Sequence, residues 1–213
     1  MDLKGKIEQN YYEFTNIIQK AEFDNGLEKI PAEEWFKNVL DCLNIIKSSH
    51  KKLFFIGNGA SASISAHFAA DFTKNGLIPS YCTTEGAFLT CFSNDYCYED
   101  AYMEMLKIIM ADGDGLIAIS SSGASKNIVN AANFVKENFK ASPVITLSAF
   151  NPDNSLRKLG NYNLYLAANS YNYAESGHAY YLHLLTDLFC RQKECIPKQI
   201  STLIKTINEV RHF

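Results

Sequence analysis

Lys52-Leu53-Phe54-Phe55-Ile56, followed by Gly57-Asn58-Gly59-Ala60-Ser61, is the stretch of sequence that decides the fold. Its first half is a short apolar run between a lysine and a glycine, which predicts a buried β-strand. Its second half is a glycine-containing turn, and residues 60–75 after it are predicted to form a helix. Glycines permit positive φ and close backbone approach, and the start of a helix attracts anions. This stretch therefore indicates an α/β protein with an anion site at the turn.

Four more apolar runs follow along the chain, and two of them, 116–120 and 162–166, are followed by helical patterns. Strands are predicted at 78–83, 116–120, 143–147 and 162–166, and helices at about 125–139, 174–191 and 197–210. Strands that alternate with helices form a parallel sheet covered on both faces. Residues 1–50 read as helical, with a turn at 24–26 and a second helix after Pro31. We predict one structural domain, in which a helical extension (1–50) precedes a five-stranded parallel sheet unit (51–213).

The composition narrows the classes of function. Of 213 residues, 47% are apolar, enough for a sizeable core, and the net charge is −3. No basic stripe appears, so we expect no nucleic-acid partner, and the apolar runs are too short to span a membrane. The N-terminus does not resemble a signal peptide, and six scattered cysteines form no Cys-x-x-Cys pair. Together these features predict a cytoplasmic protein with reduced thiols.

A second loop, Ser120-Ser121-Ser122-Gly123-Ala124-Ser125, also follows a predicted strand and opens a helix. Ligands of parallel sheets bind beyond the carboxyl ends of the strands, where this loop, 57–61 and 93–95 are expected. Four hydroxyls and a helix start can bind a phosphate without lysine or arginine. The alternative is structural: each loop can be a plain turn, with Ser125 as an N-cap. The first loop lacks the endings of a P-loop and of a dinucleotide fingerprint.

Ionisable side chains lie on two predicted helices. His67 and Asp71 are four residues apart, so they share one face of an otherwise apolar segment. On the late helix, Glu175 and His183 are separated by about 80° and share a broad face, whereas His178 points away from His183. The His67–Asp71 pair is either buried and mutually satisfied or functional. The four groups suit a divalent metal or a general acid and base, and spacing does not separate these roles.

These residues together resemble the sugar isomerase (SIS) superfamily, and within it the phosphoheptose isomerases, over residues 35–192. Five motifs in the family's order and spacing carry the resemblance. They are Gly57-Asn58-Gly59-Ala60-Ser61, His67-Phe68-Ala69-Ala70-Asp71, Ser93-Asn94-Asp95-Tyr96, Ser120-Ser121-Ser122-Gly123-Ala124-Ser125 and Glu175-x-x-His178-x-x-x-x-His183.

The resemblance implies a flavodoxin-like three-layer α/β sandwich that forms a homotetramer through its N-terminal helices, with sites between subunits. It implies a phosphosugar substrate, whose phosphate would be held by Ser61, Ser120, Ser122 and Ser125. The full set of substrate-binding residues that it implies is Asn58, Gly59, Ser61, Asn94, Asp95, Ser120, Ser122, Ser125, Asn172 and Glu175.

The implied reaction is aldose–ketose isomerisation through an enediol. Its expected substrate is sedoheptulose 7-phosphate and its product D-glycero-D-manno-heptose 7-phosphate, a precursor for lipopolysaccharide or capsule. Asp71 stands at the family's base position and His183 at its acid position. The same two residues, with His67 and Glu175, match a zinc site of some members. The expected cofactor is therefore one divalent metal per site, zinc.

Three positions depart from the family pattern. The family usually has Glu where this chain has Asp71, Gln where it has Glu175 and Asp where it has Asn172. Asp71 is shorter by about one C–C bond, and a misplacement of about 1 Å can lower a rate 100-fold. Glu175 is expected to add a negative charge beside the base. These departures indicate a related sugar phosphate, a stronger metal requirement or lost catalysis. Two alternatives therefore stay open: an isomerase of another phosphosugar, such as an amino sugar or pentose phosphate, and a non-catalytic phosphosugar- or protein-binding module of the DnaA-associating type.

Overall fold

The computed structural model describes residues 2–191 and shows a six-stranded sheet in the order β1-β6-β5-β4-β2-β3. All neighbouring strands pair in parallel except β1, which runs antiparallel to β6. The strands are β1 (Glu22–Asp24), β2 (Leu53–Gly57), β3 (Ser80–Cys82), β4 (Gly115–Ser120), β5 (Val144–Ala149) and β6 (Tyr162–Leu166).

The helices form one layer on each face of the sheet. They are α1 (Leu3–Gln19), α2 (Ala32–Ser48), α3 (Ala60–Lys74), α4 (Gly86–Asp95), α5 (Ala101–Ile109), α6 (Lys126–Asn138) and α7 (Tyr171–Arg191), with a 3₁₀ turn at Leu156–Lys158. One apolar core lies between the sheet and α1, α2, α3 and α7, and a second lies between the sheet and α4, α5 and α6. The predicted three-layer α/β sandwich is confirmed.

Each core takes alternate residues of the central strands, because successive side chains of a strand point to opposite faces. Leu53 and Phe55 of β2 face the core of α2, α3 and α7, while Phe54 and Ile56 face α5 and α6. β2, β4 and β5 are buried along their whole length. Burial on both faces explains why these strands read as continuous apolar runs.

The five predicted strands are present, but the count of five was wrong because the sheet has a sixth, β1. β1 lies within the segment that we read as helical, where three residues are too few to show a period-2 pattern. Phe23 at its centre is buried against Trp35 and pairs with Leu164 of β6. The predicted turn follows at Gly26, which has a φ of 81°. The helix predicted at 197–210 lies outside the described residues.

Charged side chains fasten β1 to the rest of the fold. Arg157 donates from Nη2 to Glu22 at 2.9 Å and from Nε to Asp24 at 3.1 Å, and its guanidinium lies 4.6 Å from the centre of the Tyr165 ring. Asn163 of β6 also donates to Asp24. The edge strand is therefore attached by long-range ion pairs as well as by its ladder.

The strand order creates a crevice between β2 and β4. From β2 the chain passes to β3 on one side and then crosses back to place β4 on the other side. At such a reversal the following loops diverge and leave a ligand site at the carboxyl ends of the strands. Gly57 pairs with Ile119 across this gap, so the loops 57–61 and 120–125 begin side by side. Within residues 2–191, no helix has the length and apolar character that a membrane span requires.

Replacing Arg157 with Ala should lower the free energy of unfolding by about 2–4 kcal/mol, because it leaves the partly buried Asp24 without a cation and leaves Glu22 with Lys29 alone. Urea unfolding measures the change. Lys158→Ala is the control, since the Lys158–Asp153 pair is exposed and should contribute less than about 1 kcal/mol. Equal effects of the two substitutions would contradict this account of β1.

Candidate active site

The first loop depends on two glycines. A Cβ on Gly57 would lie 2.5 Å from the backbone oxygen of Ser61, so only glycine permits this tight turn. Gly59 caps α3 with a φ of 54°, a region that favours glycine. The buried Tyr102 hydroxyl donates to the Gly57 carbonyl at 2.6 Å, and burial raises the pKa of Tyr102, which keeps it a neutral donor. The N-terminus of α3 is thereby fixed next to the crevice.

The second loop presents hydroxyls to the same space. Ser120 donates from Oγ to Ser125 Oγ at 3.3 Å and lies 3.5 Å from Ser122 Oγ. Ser125 stands at the N-cap of α6, yet its side chain makes no capping bond among the described residues. The purely structural interpretation of Ser125 as a cap therefore does not hold. The hydroxyl is oriented toward the other serines instead.

Both loops line one cavity of about 240 Å³. Along the part of the chain that the structure describes, its lining includes no lysine or arginine, so an anion there would rely on hydroxyls, backbone N–H groups and the N-termini of α3 and α6. The lining consists of Asn58, Gly59, Ala60, Ser61, Ile119, Ser120, Ser121, Ser122, Ser125, Tyr171 and Glu175. We call this cavity the phosphate cradle.

Two residues of the cradle with polar side chains, Ser121 and Tyr171, were not among the predicted site residues. Ser121 is buried, and its Oγ has no hydrogen-bond partner within residues 2–191. Tyr171 begins α7, three residues before the predicted start of that helix, and packs edge-on against Phe150. The run of serines could have indicated Ser121. The position of Tyr171 depends on where the chain leaves β6 and begins α7, which no local sequence pattern shows.

A second group of polar side chains lies further along α3 and α7. One ligand atom each of His67, Asp71 and His183 falls within 4.8 Å of the others. His67 Nε2 is 3.4 Å from Asp71 Oδ2, and the other carboxylate oxygen accepts from Asn75 at 3.3 Å. The predicted helical spacing of His67 and Asp71 is thus realised, and α7 brings His183 to them. We call these three residues the His–Asp–His cluster.

Packing holds the two imidazoles of this cluster in place. The ring of buried Phe68 lies 4.9 Å from that of His67 and 4.7 Å from that of His183, edge-on to both. The His67 and Asp71 side chains are 54% and 25% exposed, so the cluster is open to solvent on this chain. Two imidazole nitrogens and one carboxylate are a ligand set that suits zinc and leaves a coordination position open.

Glu175 is not in the His–Asp–His cluster. It lines the phosphate cradle, eight residues and about 12 Å along α7 from His183. The expectation that it adds charge beside Asp71 is therefore corrected: its carboxylate lies at the phosphate end. As a metal ligand, Glu175 stays a prediction that this arrangement does not support.

Three other predicted site residues lie outside the cradle. Asn94 and Asp95 end α4, where Asn94 donates to Asp95 at 3.0 Å and both are exposed. Asn172 is exposed in the first turn of α7. Within residues 2–191 the fold does not bring these three side chains to the cradle lining. Their role in substrate binding stays a prediction.

His178, predicted only to point away from His183, lies in the core. Its ring is fully buried, and Nε2 lies 3.2 Å from the Ser148 carbonyl of β5. Burial lowers the pKa of His178 to about 4, against a weaker opposing effect of that hydrogen bond. His178 is therefore neutral near pH 7, and it packs in the core between α7 and β5.

Comparisons with known proteins agree with this geometry. No family model matches the chain. It is 28% identical over 157 residues to the phosphoheptose isomerase of Geotalea uraniireducens, covering 70% of this chain and 81% of that protein. It is 29% identical over 178 residues to the phosphoheptose isomerase of Helicobacter pylori strain Shi470, covering 80% and 90%.

Solved structures agree on the fold. The phosphoheptose isomerase GmhA from Neisseria gonorrhoeae superposes with a TM-score of 0.74 at 21% identity, covering 88% of this chain and 98% of that one. The resemblance read from the five motifs is confirmed.

The burial of neutral His178 predicts a pH-dependent stability. An unfolded histidine titrates near 6.5, so below that pH the unfolded state binds a proton that the folded state refuses until about pH 4. Stability should therefore fall by about 2 kcal/mol between pH 7 and pH 5 from this residue. Urea unfolding at both pH values measures this change. In the His178→Leu variant the free energy of unfolding should depend less on pH. His50→Asn, at an exposed histidine, is the control and should keep the native slope.

Proposed function

We propose that this chain, a homologue of the phosphoheptose isomerases with their fold, is an aldose–ketose isomerase that converts sedoheptulose 7-phosphate to D-glycero-D-manno-heptose 7-phosphate. One observation carries the proposal: a phosphate cradle and a His–Asp–His cluster lie at separate points along the same two helices, α3 and α7. The separation of about 12 Å along α7 suits a substrate with several carbons between its phosphate and its reacting end.

The cradle would bind the phosphate through neutral donors. Ser120, Ser122 and Ser125 converge from one loop, and the first turn of α3 faces them with Ser61. The partial positive charge of two helix N-termini replaces the missing cation. This end would anchor the sugar and position its C1 and C2 for the reaction.

The cluster would supply the proton transfers. Asp71 is placed to remove the proton from one of the two reacting carbons and return it to the other through an enediol. His183 would protonate and deprotonate the substrate oxygens. Because Asn75 and His67 each hold one oxygen of Asp71, the carboxylate has a fixed orientation toward the open side of the cluster. Phe68 gives the His183 ring the same fixed orientation.

The same three side chains fit a divalent metal, and zinc is the ion we propose. A bound metal would polarise the substrate oxygens and stabilise negative charge on the enediol. His67, Asp71 and His183 would hold it, with one ion per site.

The proposal includes a homotetramer in the cytoplasm. α1 buries none of its residues on this chain, and Leu3, Ile7, Tyr11 and Tyr12 are exposed along it. A helix that leaves these apolar and aromatic side chains exposed is suited to packing against another copy, as proposed for the helical extension. Cys42, Cys82, Cys91 and Cys97 form no disulfide among the described residues, which suits a reducing compartment.

Purified protein should isomerise sedoheptulose 7-phosphate, measured as aldose product. Asp71→Asn and His183→Ala should each lower turnover by about 100-fold or more, because each removes one proton-transfer group. Asp71→Glu restores the length usual in the family and should keep turnover within about 10-fold.

Asp153→Asn is the matched control, since it neutralises an exposed carboxylate that belongs to neither the cradle lining nor the His–Asp–His cluster. Absence of product from the wild type, with or without zinc, would contradict the proposed reaction. Product from an amino sugar or pentose phosphate alone would assign the site to another phosphosugar.

The metal is tested by elemental analysis of the purified protein and by cobalt substitution. We expect about one zinc per chain, and His67→Ala and His183→Ala should each lose it. Cobalt in its place should show the visible absorption of a tetrahedral site. Glu175→Gln should keep the metal, because Glu175 lies in the cradle; loss of metal from this variant would contradict the three-residue ligand set.

A further inference from the structure

We propose that Asn127 and Tyr98 are positioning residues that fix the Asn58 side chain as a hydrogen-bond donor into the phosphate cradle and tie the two halves of the cradle together. The inference rests on the proposed function, since it concerns how the same cradle binds a phosphate. Neither residue lines the cradle itself.

Asn58 and Asn127 form a reciprocal amide pair. Asn58 Nδ2 donates to Asn127 Oδ1 at 2.9 Å, and Asn127 Nδ2 donates back to Asn58 Oδ1 at 2.9 Å. Asn127 lies in the first turn of α6 and is only 2% exposed, whereas Asn58 is half-buried in the loop after β2. The pair is therefore a direct link between the first loop and the helix that follows the second loop.

The orientation of both amides is determined by their surroundings. The Ile128 backbone N–H donates to the Ser125 carbonyl at 3.1 Å and also to Asn127 Oδ1 at 3.0 Å. An amide nitrogen of Asn127 at that position would oppose this N–H with its own hydrogens, so the oxygen faces Ile128. Asn58 must then present Nδ2 to that oxygen and Oδ1 to the Asn127 amide nitrogen. The Tyr98 hydroxyl donates to the same Asn58 Oδ1 at 2.9 Å.

These bonds leave Asn58 with a single function. An amide oxygen accepts two hydrogen bonds, and both are taken by Asn127 and Tyr98. An amide nitrogen has two hydrogens, and one is used by Asn127. The capacity that remains is one N–H, on a side chain that lines the cradle. Asn58 can therefore donate to a phosphate oxygen but cannot accept from a sugar hydroxyl while the pair is intact.

The pair also sets the width of the cradle. Ser61 belongs to the loop that contains Asn58, and Ser120 to Ser125 precede the helix that contains Asn127. The β2–β4 ladder joins the two preceding strands as far as the pair Gly57–Ile119, and the two loops lie beyond the end of that ladder. The partly buried Asn58–Asn127 pair lies beyond the ladder and fixes the distance between Ser61 and the serines of the second loop. Without it, each loop could relax independently of the other.

The experiment measures the Kd of inorganic phosphate by calorimetry, and kcat and KM for sedoheptulose 7-phosphate. Tyr98→Phe should raise the Kd and KM about 3- to 10-fold and leave kcat within about 2-fold, because the lost hydroxyl orients Asn58 and takes no part in proton transfer. Asn127→Leu should weaken phosphate binding about 10-fold or more. Tyr81→Phe is the control, since that exposed tyrosine stacks on Phe54 outside the cradle.

A double-substitution cycle separates positioning from general stability. If Asn127 acts through Asn58, Asn58→Ala combined with Asn127→Leu should weaken phosphate binding no more than Asn58→Ala alone. Additive losses would overturn the proposal, as would a Tyr98→Phe protein that binds phosphate like Tyr81→Phe. If Asn127→Leu does not fold, the same cycle with Tyr98→Phe in its place decides the question.

The two proposals fail in different ways. A wild-type protein that binds phosphate but does not isomerise sedoheptulose 7-phosphate would contradict the proposed reaction only, and the phosphate Kd values would still test the amide pair.

Discussion

The site exists where it does because the chain reverses direction across the sheet between β2 and β4. The loops that follow these two strands diverge, so α3 and α6 begin on opposite sides of one crevice with their N-termini facing it. Two partial positive charges and the free N–H groups of two first turns then meet in one small cavity. The serines and glycines of both loops and the Asn58–Asn127 pair all lie at this convergence.

Much of this could be predicted from sequence, because burial on both faces leaves a strong signal. β2, β4 and β5 are continuous apolar runs, and the loops after them have distinctive glycines and serines. β1 could not be predicted, because its three residues depend on Arg157, more than 130 positions later in the chain. The same limit applied to Asn127, whose importance comes from a partner 69 residues away.

Helical spacing predicted side-chain directions better than it predicted neighbours. It placed His67 beside Asp71, which is confirmed, and it turned His178 away from His183, where the structure buries it in the core. It also grouped Glu175 with His183 on one face of α7, which is correct for direction alone. Since eight residues of helix span about 12 Å, two residues on one face can belong to different parts of a site. Here one lies in the cradle and the other in the cluster.

The separation of Glu175 from His183 along α7 changes the interpretation of Asp71 and Glu175, the two acidic residues that depart from the family pattern. In the sequence, Asp71 and Glu175 appeared to concentrate charge around one base, whereas the fold places Glu175 in the lining of the cradle. Two like charges 4 Å apart repel by about 4 kcal/mol at an effective dielectric constant of 20, and a helix N-terminus contributes at most about 2 kcal/mol to an anion. The combined electrostatic contribution of the two helix N-termini that meet at the cradle is therefore large enough to offset the repulsion from one carboxylate. Under the proposed function, the hydroxyls and the one N–H of Asn58 that has no partner among the described residues would then supply the net affinity, and the orientation of neutral donors would decide phosphate binding.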